Sequence, residues 1–381
     1  MPVPYRVAVI GSTNRGNYGH GLDVVWKQLP ETEIVAVADD HPEGLARAAT
    51  RLGATHAYLD YRTMLEAIQP DLVSIAPRWV DQHCDMVVAA AQAGVKGIYL
   101  EKPLCRSMEE ADAMELACTQ ANTKVAVAHQ TRYSPILRSV YRLIHEGHLG
   151  DIMEIHARGK DDHRGGVEDL WVLGTHVLDL MHHLGGAPNW CSGSLLESTR
   201  LVTNKDIRPG NEGLGPFAGN QVHAIYGLEN GILGYFSSRA NTAANPSRFG
   251  ITIRGSEGLL TMGTGFLPAA YYLASSDWQN HGRNLPWTPV SSGGMGQPES
   301  LENGGLQEGN RIACKDLIAS IEDDRAPESS LREAMVATEM ILAILESHSL
   351  GKRVHFPLEN RKHPLNVPFR ASNLPQAPKR P

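Results

Sequence analysis

The chain has 381 residues, of which 42% are apolar and 20% charged. At ~100–200 residues per domain this implies two domains, with a core large enough to need no disulfide or metal staple. Thirty-five Lys and Arg against 42 Asp and Glu give a net charge of −7, and the five cysteines are widely spaced with no C-x-x-C pair. These features argue against a nucleic-acid or anionic-membrane partner, a disulfide framework or a zinc finger, and point to a reducing, cytoplasmic setting.

No apolar run reaches the ~20 residues of a membrane span, and the N-terminus enters a strand-like run with no signal-like region before it. That run, Tyr5–Ile10, is β-branched and suited to a strand buried on both faces. After a turn rich in Gly and Asn, a helix is expected over Leu22–Leu29. A strand over Glu33–Ala38 ends in Asp39, and a helix follows over Pro42–Leu52. The alternation continues with strand His56–Tyr58, helix Tyr61–Ile68, strand Leu72–Ile75, helix Gln82–Ala93 and strand Gly97–Leu100, which leads into Glu101-Lys102-Pro103. Ser107–Gln120 opens with a capping-box pattern, Ser107 to Glu110, and Lys124–Ala128 is a further strand. Such alternation implies a doubly wound α/β sheet.

Beyond residue 130 the pattern changes. Helices are expected over Pro135–His145 and Val172–His183, and a strand over Ile152–Arg158. Val222–Leu228 and Ile232–Ser238 flank Glu229-Asn230-Gly231, a hairpin signal. Phe249–Arg254 and Leu259–Met262 flank a second turn. Ser275–Asn310 reads as a long surface excursion, Gly309–Asp323 and Leu331–Leu350 as helices, and the tail from His363 as an extended Pro-rich segment.

The turn after the first strand, Gly11-Ser12-Thr13-Asn14-Arg15-Gly16, places glycines at the first and third positions of G-x-G-x-x-G, with Thr13 in the middle. In that pattern the amides at the start of the next helix face a pyrophosphate. Asp39, at the tip of the second strand, can accept both ribose hydroxyls of NAD and repel the 2′-phosphate of NADP, and Asp40 reinforces the repulsion.

Glu101-Lys102-Pro103 at a strand end resembles the Gfo/Idh/MocA oxidoreductases, the family of glucose–fructose oxidoreductase and inositol dehydrogenase. Ala76-Pro77 followed by His83 resembles the family's segment after the fourth strand. Gln130-Thr131-Arg132-Tyr133-Ser134-Pro135 resembles its entry into the second domain. Gly147–Ile152, the run from Gly174 through His176 to Asp179, Gly255–Leu259 and Gly351-Lys352-Arg353-Val354 also fit, so the match runs from about residue 5 to residue 358. The resemblance implies an NAD-binding Rossmann domain (1–130), a substrate-binding and oligomerisation domain with an open-faced, mainly antiparallel sheet (131–358), and the tail (359–381). It also implies that the helix near 331–350 can pack back on the first domain. Cofactor contacts would then come from the glycine turn, Asp39, Asp40, Ala76, Pro77, His83, Glu101, Lys102 and Gln130.

The family moves hydride between NAD(P) and a secondary hydroxyl of a sugar, inositol or related polyol, using a Lys, an Asp and a His. Lys102 and His176 match two of these; the Asp position is Val172. Asp161, Asp162, Asp169 and Asp179 are candidates for the missing carboxylate. A neutral imidazole suits His176 to take a hydroxyl proton, and Lys102 suits an alkoxide-like oxygen. The family places Arg158–Arg164 beside the substrate pocket, which would let Lys160, His163 and Arg164 bind hydroxyls or a carboxylate, with Asp169 nearby. Trp171 could stack on a sugar face or belong to the core. His176, Asp179 and His183 share a helix face that could seat a metal, but a structural role suits Asp179 and His183 better and no metal is expected. The expected protein is thus an NAD-dependent oxidoreductase and a homo-oligomer, dimer or tetramer. Two alternatives are a redox-neutral enzyme that retains NAD, such as an oxidation–elimination glycosidase or an epimerase, and a non-catalytic NAD sensor.

Overall fold

The computed structural model describes residues 3–280 and 285–367. Six strands form a parallel sheet: β1 (Tyr5–Ile10), β2 (Thr32–Ala38), β3 (His56–Tyr58), β4 (Leu72–Ile75), β5 (Gly97–Leu100) and β6 (Lys124–Val127). Their order, β3-β2-β1-β4-β5-β6, is that of a Rossmann sheet, whose ligand crevice opens between β1 and β4 where the order reverses. Val7, Ala8, Val9 and Ile10 are at most 1% exposed, which accounts for a strand without polar alternation.

Helices α1 (Pro42–Leu52), α2 (Tyr61–Ile68), α3 (His83–Gln92) and α4 (Met108–Ala121) fill the connections. Each end has a local cause. His41 caps α1, whose first residue is Pro42, and Gly53 ends it in the left-handed conformation. Ser107 caps α4, but the Glu110 carboxylate accepts from the Arg106 amide, so only half of the expected capping box forms. The helix expected over Leu22–Leu29 does not form. Short 3₁₀ turns, Gly19–Gly21 and Val25–Gln28, replace it, because His20 and Gly21 take positive φ while Leu22, Val25 and Trp26 are fully buried.

After α5 (Pro135–His145) the chain builds a larger mixed sheet. Its strands begin with β7 (Ile152–Arg158) and β8 (Pro188–Glu197), with β9 (Arg200–Leu201) beside β8; a separate ribbon pairs β10 (Arg208–Pro209) with β11 (Pro216–Phe217). The rest are β12 (Gln221–Leu228), β13 (Leu233–Arg239), β14 (Gly250–Gly255), β15 (Leu259–Gly263), β16 (Ala270–Leu273), β17 (Thr288–Ser291), β18 (Gly294–Met295) and β19 (Val354–His355). All pairs are antiparallel except β7 with β13. Strand β8 had no counterpart in the sequence reading, because its Gly and Ser residues interrupt the apolar pattern. Part of the expected surface excursion instead extends the sheet as β17 and β18; residues 281–284 of it lie outside the described residues.

Helices α6 (Val167–Asp169), α7 (Thr175–Gly185), α8 (Leu306–Glu322) and α9 (Leu331–Leu350) complete the chain. Helices α7 and α9 pack on one face of the mixed sheet, and α9 also touches α4 and β6. Helix α8 packs on the parallel sheet, where Leu317 and Ile321 close over Gly97. The first part of the expected tail is not a loose surface strand. Arg361 pairs with Asp112 on α4 and Glu339 on α9, and His363 and Leu365 are buried. Residues 368–381 lie outside the described residues. Among the described residues no helix is long and apolar enough to cross a membrane.

Candidate active site

The glycine turn is held by its own side chains. Asp39 accepts from the Thr13 amide (3.1 Å) and His41 amide (3.0 Å) on one oxygen, and from the Thr13 hydroxyl (2.7 Å) and Tyr18 hydroxyl (2.8 Å) on the other. The Tyr18 ring lies on Gly11, where a Cβ would stand 2.2 Å from it; at Gly16, with φ 92°, a Cβ would stand 2.4 Å from the Arg78 amide. Both glycines are therefore required by close approach. The Ser12, Arg15 and Asn17 amides bond within the turn, and the Asn14 amide donates to the Asn17 side chain. This corrects the expected phosphate cradle: no helix starts here, and most of its amides have partners. The Arg15 guanidinium is drawn away to Asp81 and the Trp79 ring.

The residues present do fit the adenosine half of a dinucleotide. A cavity of about 110 Å³ opens beside Gly11 at the crevice, lined by Ser12, Asp39, Asp40, Tyr61, Gln82 and Met86 among others. Asp40 is exposed and accepts from the Ser12 hydroxyl at 3.3 Å, which leaves lone pairs for a ribose.

At the other end of the crevice, β5 delivers Glu101 and Lys102. Glu101 is fully buried and takes His20 at 3.1 Å and the Lys102 amide at 3.2 Å. Burial raises its pKa, but the His20 hydrogen bond and nearby positive groups bring it below the ordinary value. His83 clamps the strand ends. Its ring nitrogens lie on the main-chain oxygens of Pro77 (2.8 Å) and Pro103 (2.9 Å), and the ring is fully buried, so the expected direct contact with a cofactor is corrected to a structural one. The Ala76 carbonyl is likewise taken by the Gly19 amide, and the Gln130 side-chain amide donates to Asn310 at 3.0 Å.

The Lys102 ammonium is buried and donates to the main-chain oxygen of Val172 at 2.8 Å. Val172 sits in a π-helical turn, Leu170–Gly174, that runs directly into α7; such turns recur at functional sites. The main chain at this position thus contacts Lys102 although the side chain carries no carboxylate. His176 follows one turn later and is partly buried. Burial pushes its pKa well below the ordinary imidazole value, and Lys102 and His129 push it the same way. The ring is therefore a neutral base at neutral pH.

Behind His176 lies a buried polar cluster. The His129 ring meets His176 edge-on at 5.5 Å and bonds the Thr175 hydroxyl at 3.0 Å. Asp179 receives two bonds from Arg132, at 2.7 and 2.8 Å, and Arg132 also reaches Glu333 (2.7 Å) and the His183 ring (2.6 Å). Asp179 and His183 are therefore bound to a guanidinium, which explains their place on the helix face.

All four candidates for the missing carboxylate are engaged elsewhere. Asp179 holds Arg132; Asp161 holds Arg158 (2.7 Å) and the Arg239 amide (2.8 Å); Asp162 holds Arg164. Asp169 is fully buried and accepts from Ser238 (2.5 Å) and the Asp161 amide (3.1 Å), which overturns its expected contact with substrate. Trp171 is also fully buried and stacks on His363 at 6.0 Å, so it belongs to the core rather than to a sugar face. Lys160 and His163 are exposed, whereas Arg164 lies near enough to influence Lys102.

The chain thus joins a Rossmann-type crevice to a lysine and a histidine at the border with a second, mainly antiparallel domain. Residues 5–129 match the family model described as the oxidoreductase family with an NAD-binding Rossmann fold (GFO_IDH_MocA). The chain is 32% identical over 195 residues to D-apiose dehydrogenase of Paraburkholderia graminis (48% of this chain, 51% of that protein). It is 28% identical over 255 residues to levoglucosan dehydrogenase of Pseudarthrobacter phenanthrenivorans (60% and 64%). It is 27% identical over 268 residues to the NAD⁺-dependent scyllo-inositol 2-dehydrogenase of Bacillus subtilis (68% and 74%). The matches thus span about half to two thirds of the first of these relatives. In fold, the chain is similar to levoglucosan dehydrogenase in complex with NADH and L-sorbose, with a TM-score of 0.75 at 22% identity over 93% of this chain and 99% of that one.

Proposed function

We propose that this protein transfers hydride between NAD and a secondary hydroxyl of a sugar, cyclitol or sugar derivative. The observation that carries the proposal is the Lys102 ammonium held on Val172, one helical turn before a neutral His176, at the end of the β1/β4 crevice. Bound NAD supplies the hydride acceptor. The chain supplies the rest: Lys102 uses one N–H on Val172 and keeps two for the substrate oxygen, and His176 takes the hydroxyl proton as the carbonyl forms. The names of the relatives support a cyclic polyol as the substrate class. A panel of such polyols with NAD, followed by NADH absorbance, tests this. Oxidation of at least one member is expected; no NADH from any, by a protein that binds NAD, would contradict it.

The cofactor preference should favour NAD over NADP, because Asp40 lines the adenosine cavity with an exposed carboxylate. Calorimetric titration should give clearly tighter binding of NAD, and Asp40→Ser should narrow the difference. Equal affinities in the unmodified protein would contradict the assignment.

The second domain also supports self-association. One face of its sheet is covered by α7 and α9, while the other carries the exposed Ile225 and His223 beside a stacked His156–Tyr235 pair. We expect a dimer or tetramer through this face, and light scattering at micromolar concentration checks it; a strict monomer would count against it. Five unpaired cysteines are in keeping with a reducing, cytoplasmic setting.

A further inference from the structure

A Rossmann crevice ordinarily receives the diphosphate of a dinucleotide on the amides that open its first helix. That partner is missing here. Only 3₁₀ turns lie between β1 and β2. The Thr13 amide is held by Asp39, and the Ser12, Asn14, Arg15 and Asn17 amides bond within the turn. The Arg15 guanidinium is taken by Asp81 and the Trp79 ring. Two phosphate charges brought into this crevice need a cation from elsewhere.

Arg78 stands where that cation is needed. It follows β4 in the run Ala76-Pro77-Arg78, at the point where the strand order reverses between β1 and β4. Its main chain closes against Gly16: the Arg78 amide donates to the Gly16 carbonyl at 3.5 Å, and a Cβ on Gly16 would stand 2.4 Å from that amide. Its side chain then passes Gly19, where a Cβ would stand 2.6 Å from Arg78 Cγ and 3.0 Å from Glu101 Oε2. The stem therefore runs between the glycine turn and the Glu101-Lys102 end of the crevice. The carboxylate at that spot, Glu101, is held by His20 at 3.1 Å and by the Lys102 amide at 3.2 Å. Among the described residues the half-buried Arg78 side chain has no hydrogen bond or ion pair. It is a fork of five unused donors over a turn whose own amides are largely spent.

We infer that Arg78 is the diphosphate-binding residue of the dinucleotide site, taking the place of the missing helix amides. The inference rests on the NAD reading of the crevice. Along it the adenosine cavity lies at Gly11 and Ser12, the Arg78 stem at Gly16 and Gly19, and Lys102 next to Glu101. That is the order in which a diphosphate joins the adenosine and nicotinamide halves. The guanidinium can give two parallel N–H bonds to phosphate oxygens and neutralises charge that the bonded amides of the turn cannot. Arg78 acts on binding of the cofactor, which separates its role from those of Lys102 and His176.

The test uses the full-length protein and needs no substrate. Calorimetric titrations are made with NAD, with ADP, which keeps the diphosphate, and with adenosine, which lacks it. Arg78→Gln should weaken NAD and ADP binding at least tenfold and leave adenosine binding unchanged, and Arg78→Lys should recover part of the loss. Added salt should weaken NAD binding more steeply in the unmodified protein than in Arg78→Gln. Unchanged NAD and ADP affinities in Arg78→Gln, or an equal loss for all three ligands, overturn the inference. A second measurement needs no substitution. Modification of Arg78 by phenylglyoxal, followed by mass spectrometry, should be slowed by NAD and by ADP and not by adenosine. The same rate with and without NAD overturns the inference as well. An unmodified protein that binds no NAD defeats the cofactor reading and the inference with it. One that binds NAD no better than Arg78→Gln does defeats the inference alone.

Discussion

His176→Ala should lower the rate of hydride transfer by ~10²–10⁴-fold, the usual contribution of a positioned general base. Lys102→Met, which keeps the length and removes the charge, should lose a comparable factor through weaker stabilisation of the developing alkoxide. The two act differently. Burial, Lys102 and His129 hold the His176 pKa down, which in the proposed reaction leaves the ring ready to accept a proton, while the two other N–H groups of Lys102 would meet the oxygen from which that proton leaves. NAD affinity should survive both changes, since the adenosine cavity lies along β1 and β2, away from α7. Stopped-flow NADH absorbance under single-turnover conditions checks this. A near-wild-type rate in His176→Ala would remove it from the chemistry, and weakened NAD binding would show a structural effect instead.

The largest effect on stability should come from Arg132→Met. Arg132 is buried and supports Asp179, Glu333 and His183 at once, so its loss leaves the fully buried Asp179 carboxylate without its cation. Breaking a buried pair on one side costs about 3–5 kcal/mol. The pH dependence follows from the direction of the shift. Burial alone would raise the Asp179 pKa, but Arg132 and His129 hold it well below the ordinary carboxylate range. A depressed pKa contributes stability that is fully present above the unfolded value of ~3.9 and is lost as pH falls toward the folded value. The difference between wild type and Arg132→Met should therefore be greatest at neutral pH and shrink below about pH 4. Urea unfolding at a series of pH values measures it; a difference that does not change with pH would contradict the role given to Asp179.

The doubly wound sheet was legible because its strands are short β-branched runs with turn residues at their ends. Pro42–Leu52 and Leu331–Leu350 were legible to the residue because a proline or a serine cap opens each and a glycine closes it. Leu22–Leu29 misled for a tertiary reason: its apolar residues are buried, but His20 and Gly21 take left-handed backbone and break the helix before it starts. Lys102 and His176 could be found because each sits in a short motif at an element boundary. The occupation of Asp39 by Thr13 and Tyr18 and the partners of His83, Asp169 and Asp179 could not. They depend on residues far apart in the chain that only the folded backbone brings together. Trp171 shows the same limit from the other side, since a tryptophan beside the helix that carries His176 reads as a stacking platform until His363 is found covering it.

The central claim is that hydride passes from a polyol carbon to NAD in the cleft beside Lys102. A polyol deuterated at its reacting carbon, incubated with the enzyme and NAD, tests it by mass spectrometry of the reduced cofactor. The account predicts that the deuterium appears on the nicotinamide ring with the wild type and that Lys102→Met forms labelled cofactor far more slowly. Consumption of the polyol with no deuterium on the cofactor would contradict it.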